Sequence, residues 1–369
     1  MPVENIIEDY TTYDLIKENG EEKIKRINDM KFDVIVGNPP YQENIDKNRS
    51  LAKQLFPKFI ELGIRMNPQY LSLITPSRWF TADGQDNSFP KLRDFVKEHN
   101  HFSTIVSGNG KKIFPNTELG GVCYFLWMPS HNGDTEFMDN QNEERDVLRR
   151  PLFENELSII LPLNKISSIA KKVIKSQGFT ALNTITTGRD AFGIVGKNFN
   201  AISKDEVLPN SVEVQCAHEV KRYYEKDKIT KNTPILNSYK VFTSKGNGGA
   251  GLLTDDKAVN IIGKSYVAEP NVACTDSMIP FGAFDNILEA TNLQKYMMTK
   301  FLRFMVGILK VSQNLYQNVY QFVPLQNFTS ESDIDWSKSI ADIDKQLYAK
   351  YGLTPEEISF IESKVKSMD

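Results

Sequence analysis

The chain has 369 residues, 40% apolar and 25% charged, with a formal net charge of −3 and three cysteines. That is ordinary globular usage with room for about two domains, so extensive disorder is excluded. The longest apolar runs fall well short of the roughly 20 residues that cross a bilayer, and no signal peptide opens the chain, so a cytoplasmic location is expected. Cys123, Cys216 and Cys274 are too few and too scattered for a disulfide framework or a zinc site, and no metal is expected.

In chain order, Ile6 to Tyr13 reads as one strand or a stub, and Asp14 to Met30 as a charged, helix-like connector. The apolar run Phe32-Asp33-Val34-Ile35-Val36-Gly37 then breaks at Asn38-Pro39-Pro40-Tyr41, the pattern of a buried strand feeding a rigid loop. Pro39 and Pro40 fix their own φ and push their predecessors out of the helical region, so Asn38 is held extended. Open α/β sheets place ligands at this carboxyl edge of their strands. An Asn side chain and a neighbouring carbonyl can grip an exocyclic amino group, with the Tyr41 ring covering a flat heterocycle.

Leu51 to Met66 carries Leu51, Leu55, Phe59, Leu62 and Met66 at helical spacing, and Asn67-Pro68 ends it. Tyr70 to Ile74 reads as the next buried strand, followed by the loop Thr75-Pro76-Ser77-Arg78-Trp79-Phe80. A second helix spans about Pro90 to Glu98, and strand-like runs cover Ser103 to Val106, Lys112 to Pro115 and Gly121 to Trp127. The polar, aperiodic stretch around 131–150 reads as a linker between domains 1–130 and 151–369. Beyond it come a helix near Ser167 to Lys175 and a turn-rich unit over Thr184 to Ile194. A glycine-rich loop, Lys245 to Gly251, reads as a hairpin or finger, and Tyr266 to Phe281 is strand-like. Asn286 to Lys310 reads as one strong helix with a core-facing stripe, and Thr354, Pro355 and Glu357 form the capping box of a last helix.

The run Phe32 to Tyr41 resembles the catalytic segment of the adenine-N6 DNA methyltransferases of type II restriction-modification systems. The helix and strand after it, the Pro76-x-x-Trp79 loop and the closing strands resemble the same family. So do the segments Asn318 to Phe328 and Ile343 to Leu353, which look like the large single-chain type IIG proteins. The resemblance implies an α/β fold: a partial Rossmann-like methyltransferase core, then a mixed α+β target-recognition domain with a helical C-terminal region. It implies that Asn38, Pro39, Pro40 and Tyr41 are catalytic, Asn38 and the Pro39 carbonyl accepting from the adenine amino group. Tyr41 and Phe114 would sandwich the flipped base, and such stacking is worth roughly 1–3 kcal/mol.

The family's methyl donor is S-adenosylmethionine, held by a glycine-rich turn after the first strand and an acidic residue after the second. Nothing between Met1 and Met30 offers such a turn, so the donor-binding residues are unassigned. Donor binding by this chain alone is expected to be weak or absent, the isolated chain inactive, and the missing half either supplied by another polypeptide or cut away. The implied macromolecular partner is double-stranded DNA. Basic residues gather at Lys165 to Lys175 and again at Lys221, Arg222, Lys226, Lys228 and Lys231, so one face can be basic although the whole is not. Arg189, Lys221, Arg222 and Lys245 are the DNA-contact candidates. The alternative to an enzyme portion is a DNA-recognition module, or a truncated remnant, that binds without catalysis. No Pro-Asp and Glu-x-Lys pattern of a nuclease is found.

Overall fold

A computed structural model describes residues 13–18, 21–26, 31–42, 53–82, 87–115, 121–139, 146–154, 157–195, 207, 209–216, 220–246, 253, 257–310 and 314–368. The fold is mixed α/β, and contacts divide the chain into two compact units, Met1–Ser167 and Ser168–Asp369. Among the described residues no helix is long and apolar enough to cross a membrane.

The first unit begins with β1 (Tyr13–Glu18) and β2 (Glu21–Arg26), an antiparallel pair in which Glu18 faces Glu21. This corrects the expected helix-like connector. Asn19-Gly20 is a strong two-residue hairpin signal, and it outweighs the helical reading of a charged segment. A six-stranded sheet follows, built from β3 (Val34–Gly37), β4 (Tyr70–Pro76), β5 (Phe102–Asn109), β6 (Gly121–Trp127), β7 (Thr135–Asp139) and β8 (Asp146–Arg150). Its order is β3-β4-β6-β5-β7-β8. β3 is parallel to β4, β6 is antiparallel to both β4 and β5, and β7 is parallel to β5. Hence β3, β4, β5 and β7 all point one way.

Helices α1 (Phe56–Arg65) and α2 (Ser88–Glu98) cover one face of this sheet. Phe56, Ile60, Ile64, Phe89, Leu92 and Val96 pack there with Leu71, Leu73, Ile105, Cys123, Phe125 and Trp127. The buried stripe of α1 thus runs through Phe56, Ile60, Gly63 and Ile64 rather than the expected Phe59, Leu62 and Met66. Gly63 explains the shift, because a Cβ there would stand 2.8 Å from Leu71, so that turn of α1 can sit directly on β4. On the other face, Val34, Val36, Tyr70 and Tyr124 are exposed. β3 was expected to be buried, yet it is an edge strand with Val36 71% exposed. Only Ile35 of β3 packs on the helix-covered side. Phe114 follows a short helix, α3 (Gly110–Ile113), where a strand was expected.

The expected linker at 131–150 contains β7 and β8. The alternation Thr135-Glu136-Phe137-Met138-Asp139 turns Phe137 into the core, and the strands pair from Thr135↔Arg150 to Asp139↔Asp146. Arg150, nominally the linker's last residue, is 4% exposed, and its guanidinium lies 3.5 Å from the Phe137 ring centroid. It donates to Glu154 at 3.1 Å, to Asn164 Oδ1 at 3.2 Å and to the Leu161 carbonyl at 2.5 Å. Burial, partly offset by Glu154, brings its pKa down to about 10, so it remains a cation at neutral pH.

α4 (Asn164–Ile174) spans the division between the units, and the second unit holds two three-stranded sheets. One has the order β10-β9-β13, from β9 (Ser211–Gln215), β10 (Lys221–Glu225) and β13 (Val272–Cys274). The other is β12-β11-β14, from β11 (Tyr239–Ser244), β12 (Ser265–Ala268) and β14 (Met278–Phe284). The hairpin or finger expected at Lys245 to Gly251 falls largely outside the described residues. Short α5 (Thr233–Leu236) precedes β11. The single helix expected over Asn286 to Lys310 is two, α6 (Ile287–Met298) and α7 (Lys300–Leu309). Thr299 is extended at ψ 146°, and its hydroxyl accepts from Leu302 N, capping α7 instead of continuing α6. α8 (Ile340–Lys350) and α9 (Pro355–Lys364) close the chain, the latter with the expected capping box of Thr354 and Glu357.

Arg150→Ala would leave the buried Glu154 carboxylate without its cation, bonded only by the Ser167 hydroxyl, and should cost about 3–5 kcal/mol in chemical denaturation. Arg149→Ala, at a side chain 74% exposed, should stay within about 0.5 kcal/mol. Equal effects would contradict a structural role for this pair of strands.

Candidate active site

The candidate site stands at the carboxyl ends of β3, β4 and β5. Asn38 leaves β3 exposed, Pro39 beneath it is buried, Pro40 is exposed and Tyr41 is half-buried. The exit of the loop is fixed by the backbone, where Leu55 N donates to the Tyr41 carbonyl at 3.1 Å and Gln42 bridges Gln54. Tyr41 meets Phe56 edge to face, ring centroids 6.4 Å apart and planes at 82°, and packs on the core of its unit. At the end of β4 a 3₁₀ turn over Ser77–Phe80 buries Trp79 and leaves Arg78 exposed, its guanidinium donating to Gln54. Gly121, at the start of β6, admits Ser77 because a Cβ there would lie 2.3 Å from its hydroxyl. Gly108-Asn109-Gly110 ends β5 at this same edge, and Phe114 follows, half-buried. Tyr41 and Phe114 therefore belong to one end of one sheet.

The chemistry here is neutral. Burial, and then the neighbouring Cys123, push the Tyr41 phenol above its ordinary range, and its hydroxyl has no hydrogen-bond partner among the described residues. Burial also raises Cys123 to about 11, partly offset by a contact with the Thr75 hydroxyl at 3.4 Å, so the thiol stays protonated. Neither group is poised as a base or nucleophile at neutral pH. What the loop offers is hydrogen-bond acceptors and an aromatic face.

S-adenosylmethionine is ordinarily held through a carboxylate that takes its ribose hydroxyls. Among the described residues no carboxylate stands at the carboxyl ends of β3, β4 or β5 to take ribose hydroxyls. Asp139 ends β7, four strands from β3, about 19 Å at strand spacing, and lies in the field of Arg150. A cavity of about 430 Å³ lined by Ile64, Arg65, His99, His101 and Trp127 opens at the opposite end of the sheet, away from the loop. Among the described residues no group of His, Cys, Asp and Glu could hold a metal.

In the second unit the DNA-contact candidates fall into two groups. Lys221 and Arg222 lie on β10, with Lys221 Nζ 2.9 Å from Glu213. Arg189 and Lys245 come together on Asp276, at 3.0 and 3.4 Å. Asp276 escaped the sequence reading, since nothing in its local pattern marks it.

Residues 3–114 match the Eco57I restriction-modification methylase family. The chain is 32% identical over 197 residues to an uncharacterized adenine-specific methylase of Mycoplasma pneumoniae, a match covering 50% of this chain and 45% of that protein. It is 32% identical over 120 residues to the type II restriction enzyme and methyltransferase RM.Eco57I of Escherichia coli, covering 28% of this chain and 12% of that one. The chain thus spans less than half the length of these curated relatives. Of solved structures, the type IIL restriction-modification enzyme MmeI in complex with DNA aligns with 89% of this chain and 56% of its own, at a TM-score of 0.44 and 8% identity.

Tyr41→Phe removes a hydroxyl without a partner and should leave stability unchanged or raise it by up to about 1 kcal/mol. Tyr41→Ala should lose about 2 kcal/mol of packing. Thermal unfolding of both variants measures this, and a loss with Phe as large as with Ala would show that the hydroxyl is bonded.

Proposed function

We propose, from the match of residues 3–114 to the Eco57I restriction-modification methylase family, that this chain is the base-holding part of a DNA adenine-N6 methyltransferase. The observation that carries the reading is the loop Asn38 to Tyr41. It combines an exposed amide at the end of a parallel strand, a buried proline beneath it and an aromatic ring backed by the core. The Asn38 side-chain oxygen and the Pro39 carbonyl accept from the two amino protons of a flipped adenine. The ring stacks on Tyr41, with Phe114 on its other face. Accepting both protons favours a pyramidal nitrogen and frees the lone pair that conjugation otherwise withholds. No tuned base is demanded, which agrees with the neutral character of Tyr41 and Cys123.

In this family the methyl group comes from S-adenosylmethionine, and we infer that its site lies on a further polypeptide segment that completes the sheet. Among the described residues β3 pairs only with β4, and Val34, Val36 and Tyr70 present apolar side chains on an uncovered face, which favours that inference. Titration calorimetry on the chain alone should give donor affinity about a thousandfold weaker than a complete site. Micromolar binding would contradict this. With the complementing half added, labelled methyl groups should pass to DNA, and Asn38→Ala should slow transfer by about 10²–10³-fold.

The region from Pro151 onward is proposed to read duplex DNA. Its affinity should then fall steeply with salt, as phosphate contacts release counterions. Charge reversal at Lys221 and Arg222 together should reduce the slope of log K against log salt by about 2, as measured by fluorescence anisotropy. The absence of duplex binding at low salt would argue against recognition. Binding without methyl transfer, even with the complementing half present, would favour a recognition module that retains the motif.

A further inference from the structure

Arg189 and Lys245 converge on a single oxygen. Nη2 of Arg189 lies 3.0 Å and Nζ of Lys245 3.4 Å from Oδ2 of Asp276. Two cations on one carboxylate leave a net positive charge, and backbone hydrogen bonds fix Lys245 and Asp276. Lys245 N donates to the Ser277 carbonyl at 2.8 Å, the Lys245 carbonyl accepts from Leu315 N at 2.7 Å, and Asp276 N donates to the Ile194 carbonyl at 3.0 Å. The turn carrying Arg189 is pinned by Thr186, whose hydroxyl donates to the Pro280 carbonyl at 2.8 Å and which bridges Phe281. The Asp276 side chain is only 19% exposed, whereas that of Arg189 is 59% exposed. Among the described residues nothing else bonds this guanidinium.

The cluster has a defined place on the fold. β13 runs parallel to β9, Thr275 N donates to the Gln215 carbonyl, and Lys221 stands opposite Gln215 on β10. Asp276 and Lys221 therefore mark the same end of the β10-β9-β13 sheet, and cations from β10, the 189 turn and the end of β11 share that rim.

A guanidinium held at one nitrogen by a carboxylate, and otherwise exposed, is an arginine already ordered before it meets a ligand. Its remaining N–H groups match the two acceptors, O6 and N7, that guanine presents in the major groove. Prior ordering removes most of the rotamer freedom that a free arginine would lose on binding. Lys245, a compact point charge, suits a phosphate oxygen rather than a base edge. We propose that Asp276 positions Arg189 to read a guanine edge of duplex DNA while Lys245 meets a neighbouring phosphate. The proposal rests on the reading of this region as a DNA-recognition unit.

The full chain and its variants are used to select from a random-sequence duplex pool, and affinity is then measured by anisotropy across a salt series. The wild type should enrich a guanine at one position. Arg189→Lys, which keeps the charge and loses the fork, should flatten that preference about tenfold with the salt slope unchanged. Lys245→Ala should keep the preference and reduce the slope by about 0.9. Asp276→Asn is the discriminating variant. Charge alone predicts only tighter binding, whereas positioning predicts a flattened guanine preference even if pool affinity rises. A preference unchanged in both Asp276→Asn and Arg189→Lys overturns the proposal and leaves DNA recognition standing. No duplex binding by the wild type at about 50 mM salt overturns both. Arg189→Lys alters an exposed side chain, so base reading by Arg189 is tested even if Asp276→Asn unfolds, and Asp276→Glu, which keeps the charge and moves the carboxylate, then tests positioning: an unchanged guanine preference there overturns it.

Discussion

The parallel pairing of β3 with β4 is the constraint on which the candidate site depends. Four residues set its register, from Val34↔Tyr70 to Gly37↔Leu73, and Ile35 is its anchor in the core. A slip of one residue would turn Ile35 outward and draw Asn38 off the end of the sheet. With the register held, the loop emerges at the edge where β4 delivers Ser77 and Arg78 and β5 delivers Asn109 and Gly110. Its far end is then secured by the Leu55–Tyr41 hydrogen bond just ahead of α1. Among the described residues β3 is bonded along one edge only, to β4, and Val34 and Val36 are exposed on one face.

The chemistry follows from what surrounds the loop. Tyr41 and Cys123 are pushed toward their protonated forms by burial, and Asn38 to Pro40 carry no titratable side chain. Such a site can align and desolvate a flat base without exchanging protons with it at neutral pH. An amino group whose weakness as a nucleophile comes from delocalisation is suited to this, because acceptors placed on its two protons act on geometry rather than charge.

The loop and its strand were legible because Pro-Pro after an apolar run has few structural solutions. The exposure of β3 was not legible, since Val34 and Val36 look the same whether a layer covers them or not. The misread linker shows the opposite error. Polar residues around His131 and Gly133 masked the alternation that places Phe137 in the core and Thr135 against Arg150. Thr299 divides two helices through a cap that competes with an equally plausible continuous stripe. Asp276 was beyond reach, because its meaning arises only when folding brings Arg189 and Lys245 to the same oxygen.

The most direct measurement of the central claim is the identity of the methylated nucleoside. DNA treated with this chain, the methyl donor and a polypeptide supplying the proposed donor site would be digested and resolved by mass spectrometry. The expected product is N6-methyl-2′-deoxyadenosine. Methylated cytosine, or methylated adenine formed equally well when Tyr41 is replaced by Ala, would contradict it.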